Sequence, residues 1–292
     1  MHGNDKMRQN IIRSPPAKII IGLVVCVSAG VIGQAGTSVI LKTTSWNEEI
    51  QSAIAEFVTA LCIFAAYKVL YKFYERRSIS ELSVSSLGLI LASGIILVGI
   101  LQSLTIYVLY LRNGFLVNSI NSISGVLPYM LKVFADSVTV GILLLGIFFR
   151  ITEEKLGSYI TLAICALIFG VIHLASANGT VVAAISIAIH AGLLLGAAYI
   201  YSRNLWFPIA IHFSWDFMQA GIFGAKLSGN IFSKSLLTTQ IEGPSLITGG
   251  YWGPQGSIQA GFFCLFASIV LLVFCKRQNK ILKPFWTKTA VL

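Results

Sequence analysis

Eight apolar runs of membrane-spanning length constrain this chain more than any other feature. They lie at 17–33, 50–71, 87–111, 124–149, 158–175, 181–201, 205–224 and 258–275 of its 292 residues. The hydrocarbon core of a bilayer takes roughly 17–25 residues of helix. No water reaches that core, so every backbone N–H and C=O must be paired within the chain, and a helix does this alone. The runs predict an all-α fold, a polytopic membrane bundle of about eight transmembrane helices.

Charged residues are 11% of the chain and hydrophobic residues 56%, against about 25% charged in a soluble domain. The expected organisation is a polar tail at 1–16, one transmembrane domain at 17–275 with a motif core at about 124–257, and a basic tail at 276–292. The net charge of +10 would suit nucleic acid, but its placement does not. With the N-terminus inside, sixteen of the 21 Lys and Arg fall on the inner side. Four (Lys42, Arg112, Lys226 and Lys234) fall outside, and Lys132 lies within a run. That bias marks the cytoplasmic face and puts both termini there. It also favours contact with anionic lipid. The expected partners are membrane lipid and a peptide or membrane-protein client, with no nucleic acid. The expected location is the cell membrane, multi-pass, as in a bacterial inner or plasma membrane. The first run follows basic residues as a signal peptide would, but the charge bias is accounted for with that run kept as a helix. The five cysteines all lie in apolar runs with no metal-ligand spacing, and read as small packing residues.

Three connections invite specific expectations. Residues 74–82 read as a short, solvated cytoplasmic connector. Lys132 and Asp136 are spaced i,i+4 and should neutralise each other on one helix face. The stretch 225–257, rich in Gly, Ser and Thr, is the longest outer connection, and Tyr251 and Trp252 would let it re-enter or rest at headgroup level.

Ionisable residues are costly within a membrane and usually pair, relay protons or do chemistry. At 1.5 Å per residue, His173 lies about 22 Å from the inner boundary, His212 about 9 Å and Asp216 about 15 Å. His212 and Asp216 share a helix face; a carboxylate so placed can orient an imidazole for proton transfer or carbonyl polarisation. His190 fits no such spacing and reads as polar glue between helices.

Phe169…His173 is similar to an FxxxH motif and His212…Asp216 to an HxxxN/D motif. With Gly192–Tyr199, Leu205-Trp206 and Thr248–Ser257 in the same order, the chain resembles the CPBP intramembrane proteases, the CAAX-processing and bacteriocin-processing (Abi) family. The resemblance runs from Glu75 to Ser257. It implies peptide hydrolysis within the membrane. A glutamate pair in EExxxR would activate water, and the histidines with the Asn or Asp would hold that water and stabilise the oxyanion. No cofactor is implied; a divalent metal such as zinc, if bound, would take His173, His212 and Asp216.

The chain departs from this pattern at its first motif. Glu153-Glu154 are adjacent acids, but Ser158 replaces the arginine, and both acids sit at the cytoplasmic boundary. Aligning Gly146–Gly157 with family members instead puts the motif on Val140, Gly141 and Leu145, with both glutamates and the arginine missing. Gln255 stands where a related branch often has Glu. Asp136, one turn outward of Val140 and about 21 Å deep by the same rise, is the one candidate substitute base. Three functions follow. The first is a protease fold with lost or reduced peptidase activity, a pseudoenzyme that keeps a cleft for a peptide or membrane segment. The second is an active endopeptidase using Asp136, His173, His212 and Asp216. The third is a carrier or proton-linked transporter, which lacks the expected inverted repeat.

Overall fold

The computed structural model describes residues 14–176, 178–230 and 234–287. Most of the expected N-terminal tail and the last five residues lie outside the described residues. All eight apolar runs are helical: α1 Pro15–Leu41, α2 Glu48–Tyr74, α3 Leu87–Leu111, α4 Ile123–Leu156, α5 Ser158–Leu174, α6 Val181–Ser202, α7 Trp206–Asp216 and α8 Ile258–Arg277. Six of these, all but α5 and α7, are long and apolar enough to cross a membrane. The fold is an all-α polytopic membrane bundle.

Local chemistry starts these helices where they start. Asn47, Thr180 and Ser257 accept hydrogen bonds from the backbone N–H of Ile50, Ala183 and Ala260 at 2.9, 3.2 and 3.3 Å. Each such cap is worth about 1 kcal/mol. Pro128 sits in the first α-helical turn of α4, where its missing N–H costs nothing. Three of the helices also contain wide π-helical stretches: Gly141–Phe149 in α4, Ala188–Leu194 in α6, and Phe217–Ile222 continuing α7. Such widening recurs at functional sites.

Lipid is as apolar as leucine, so helix association here rests on close packing. Gly22, Cys26 and Gly30 repeat every four residues along α1 and are buried. A Cβ at Gly30 would lie 2.9 Å from the Ile63 side chain of α2, so only glycine permits this approach. The main core gathers Tyr67, Leu101, Ile142, Leu145, Phe149, Leu194, Ile209 and Trp215 from α2, α3, α4, α6 and α7.

One element is not announced by the sequence. Phe115–Ile120 (β1) and Leu237–Ile241 (β2) form an antiparallel two-stranded sheet. β-Branched residues such as Val117, Ile120, Thr238 and Thr239 suit a pleated surface. The strands have α4 to α7 between them in the chain, so no hairpin turn marks the pairing. The sheet ties the α3–α4 connection to the 225–257 stretch at one end of the bundle.

The opposite end corrects the expectation of a solvated connector at 74–82: Arg76, Ser78 and Ser80 are exposed, but Glu81 and Leu82 are buried. Glu81 is only 3% exposed. Tyr67 donates its hydroxyl to Glu81 and lies 3.1 Å from the Gly146 carbonyl. Arg77 pairs with Glu75 and Glu81, each at 2.6 Å, and Arg150 reaches Glu75 at 3.0 Å. Burial alone would push both carboxyls up. Arg150 and Arg77 outweigh it at Glu75, and Arg77 and Tyr67 outweigh it at Glu81, so both are held below the usual glutamate range. The start of the basic tail is docked here too: Lys280 donates to the Tyr201 carbonyl at 2.5 Å, and the Leu282 N–H donates to Ser158 at 2.9 Å.

Candidate functional site

Helix α7 begins where the Asn204 side chain accepts from the Trp206 N–H at 2.8 Å and donates to the Ser83 carbonyl at 2.8 Å. That clamp sets the start and height of the helix. His212 and Asp216 then fall one turn apart, with Nε2 3.3 Å from Oδ2 and side chains 14% and 13% exposed. Helix α4 lies alongside and delivers Asp136. Donor atoms of Asp136, His212 and Asp216 all fall within 4.8 Å of one another. Asp136 therefore faces the histidine–aspartate pair. Tyr129, also on α4, donates to the Asp216 backbone carbonyl at 3.2 Å.

Asp136 and Asp216 line a cavity of about 410 Å³ together with Glu56, Thr59, Tyr129, Lys132 and Thr139. A second cavity of about 330 Å³ shares Tyr129 and Lys132 and runs toward Glu48, Glu49, Gly125 and Lys234. The two adjoin at Tyr129 and Lys132 and together line a cleft between α2 and α4 that includes Asp136. Neither Tyr129 nor Glu56 carries a motif that would mark it from sequence.

Lys132 does not neutralise Asp136. Its ammonium lies 2.8 Å from Glu56 on α2. A long flexible side chain can reach across to the neighbouring helix, whereas the short Asp136 side chain stays beside α7. Asp136 is thus left without a Lys or Arg ion-pair partner among the described residues.

His173 stands outside this group. Its Nδ1 lies 2.8 Å from the Phe169 carbonyl, and its ring meets Trp252 edge-on at 5.2 Å. Trp252 is buried against Ala183, Ile187, Ala191 and Phe169, and its indole N–H donates to the Asn178 carbonyl at 2.9 Å. The 249–257 stretch therefore folds down onto α5 and α6, while Tyr251 stays exposed. Gln255 is buried there and donates to Ser228 at 2.9 Å. His190 joins α6 to α7 by ring packing on Trp215, with centroids 4.1 Å apart. Its Nε2 has no hydrogen-bond partner among the described residues.

Val140 ends the regular part of α4, and Gly141 and Leu145 lie in its π-helical stretch. Leu145 is buried in the core. A Cβ on Gly141 would lie 2.5 Å from the Ile209 side chain of α7. Glu153 and Glu154 are engaged elsewhere: Glu153 pairs with Arg203 at 2.5 Å and accepts from Ser158 at 2.5 Å, and Glu154 pairs with Arg150 at 3.0 Å.

Two carboxylates and an imidazole are a donor set that a divalent cation accepts. The 3.3 Å between His212 and Asp216 is close to the ligand–ligand edge of a tetrahedral site with metal–ligand bonds of about 2.0 Å. The donor atoms that lie together among the described residues are those of Asp136, His212 and Asp216, within 4.8 Å, a wider spread than that edge, and His173 is not among them.

Residues 122–218 match a protein-family model, Rce1-like, described as type II CAAX prenyl endopeptidase Rce1-like. That span covers Asp136, His173, His212 and Asp216 and agrees with the resemblance read from the motifs. No curated protein matches, and no solved structure matches.

Proposed function

We propose that this chain, a multi-pass membrane protein whose residues 122–218 match the Rce1-like CAAX-protease family, binds a peptide or membrane segment in its cleft with hydrolysis lost or much reduced. The observation that carries this reading is the packing at the first motif. Leu145 lies in the core, and the space beside Gly141 is taken by Ile209. Apolar contacts occupy the place where a glutamate pair and an arginine would act. Loss of an activating base alone costs roughly 10²–10⁴-fold in rate. The two adjoining cavities, with polar lining from Glu48 to Asp136, would receive the client.

A second reading keeps an enzyme, and one observation favours it: Asp136 faces His212 and Asp216. In that case Asp136 would take a proton from water as the water oxygen adds to the scissile carbonyl. His212, oriented by Asp216, would stabilise the oxyanion and protonate the leaving amine. Catalysis is sensitive to ångström-scale placement, and Asp136 lies one turn from the motif position.

Cross-linking tests the binding reading. A photoreactive group placed at Thr139, in the cleft wall, should capture peptide or membrane-protein clients in native membranes. A group placed at Phe262, exposed on α8, should capture lipid. Equal capture at both positions would contradict a client-binding cleft.

A further inference from the structure

The charge-rich end of α2 holds a cavity that the cleft does not use. It measures about 500 Å³ and is lined by Lys68, Val69, Lys72, Phe73, Arg77, Ser78 and Ile79. We infer that it is a binding site for the phosphate headgroup of an anionic phospholipid, with the acyl chains running along α2.

The residues divide by role. Lys68 and Lys72 are spaced i,i+4 and so share a face. Neither has an ion-pair partner among the described residues. Both ammonium groups hang over aromatic rings, Lys68 5.5 Å from the Phe64 centroid and Lys72 6.0 Å from Phe73. Their aliphatic stems can lie on apolar surface while the charged heads reach the headgroup layer. Arg77 is different. Its guanidinium is committed to Glu75 and Glu81, which holds the floor of the cavity rigid without adding free charge. The two lysines are the charges left to meet a phosphate.

The apolar side of the cavity selects a lipid over a soluble phosphate. Val69 is 57% exposed and Phe73 70% exposed, on a helix otherwise built to cross a membrane. Lys72 is two residues from the end of α2 and Lys68 six, which sets them about 3 and 9 Å below it. That is headgroup depth. The basic bias of the sequence assigns this end to the cytoplasmic leaflet, where anionic lipid attracts polybasic surfaces and basic pockets.

The full chain, purified in neutral detergent, is titrated with phosphatidylglycerol, with phosphatidylcholine of the same chains, and with soluble glycerol phosphate. Bound ligand is counted by native mass spectrometry. The wild type should retain phosphatidylglycerol preferentially. Lys68→Ala/Lys72→Ala should weaken that binding about 25-fold, roughly fivefold per lysine, and remove the preference over phosphatidylcholine. A control, Lys276→Ala/Arg277→Ala at the same end of α8, should keep it. Thermal melts of each variant check that the fold is intact. Unchanged phosphatidylglycerol binding by the Lys68/Lys72 variant, or equal binding of glycerol phosphate by the wild type, would overturn the inference.

Discussion

Lys132 pairs with Glu56 on α2 at 2.8 Å rather than with Asp136, its neighbour one helical turn along. Asp136 faces His212 and Asp216. A salt bridge between α2 and α4 thus lines the cavity that Asp136 and Asp216 share. Lys132 is 43% and Glu56 29% exposed at the side chain, so the bond itself is weak. A double-mutant cycle on Lys132→Met and Glu56→Gln, read by thermal unfolding in detergent, should give a coupling of at most about 1 kcal/mol. A larger value would mean the pair is far drier than its exposure implies.

The ionic cluster at the other end is a different case. Glu81 and Arg77 are packed together, and removing one partner of a buried pair strands the other, typically at a cost of about 3–5 kcal/mol. Arg77 keeps Glu75 and is partly exposed, which places Glu81→Gln at the low end, about 3 kcal/mol. The measurement is the shift in melting temperature relative to Glu154→Gln, whose side chain is half exposed and should change little.

That cluster also sets the acid limit of the fold. Glu75 and Glu81 have folded-state pKa values below those of the unfolded chain, so the unfolded state binds more protons as pH falls. Their contribution is complete above the unfolded glutamate value of about 4.3 and is lost as pH drops through the folded values. Stability measured from about pH 7 to pH 3 should therefore fall below about pH 4.3. Glu81→Gln should flatten that decline. A wild-type profile that is level through this range would show that the cluster holds no such carboxylates.

Rebuilding the first motif should be sterically uneven. Val140 is half-buried and ends the regular helix, whereas Gly141 meets Ile209. Val140→Glu should carry only the cost of placing an ionisable side chain within the membrane. Gly141→Glu should carry that cost and a further roughly 1–3 kcal/mol from overpacking, and Ile209→Ala should recover part of the excess. Equal melting temperatures for the two single variants would show that α7 gives way freely.

His173 depends on Trp252. The indole is buried and meets the imidazole edge-on, so Trp252→Ala should cost about 3–5 kcal/mol. It should also make the 249–257 stretch accessible to protease. Trp252→Phe should retain most of the packing but lose the hydrogen bond to Asn178. Protease resistance in Trp252→Ala would show that the stretch is held by other contacts.

What could be read from the sequence follows from range. The eight helices were legible because each run of apolar residues carries its own signal. The one-turn spacing of His212 and Asp216 was legible for the same reason. The orientation of Asp136 was not, because it depends on how α4 rotates against α7 and on a lysine whose partner, Glu56, lies on a different helix. The burial of Glu81 was hidden as well. A charged loop looks solvated until Arg150 and Tyr67 are brought to it from other helices. The sheet is not legible in the sequence because β1 and β2 are each short and have four helices between them, so neither shows the turn that announces a hairpin.

Whether the cleft binds without cutting is tested most directly by cleavage of a panel of fluorogenic membrane peptides. Wild type, Asp136→Asn and the rebuilt Val140→Glu/Gly141→Glu/Leu145→Arg/Ile209→Ala chain are compared in one detergent. The expected result is no cleavage by the first two and measurable cleavage by the rebuilt chain. Cleavage by the wild type that Asp136→Asn abolishes would contradict a silent cleft and make Asp136 the base of a working protease.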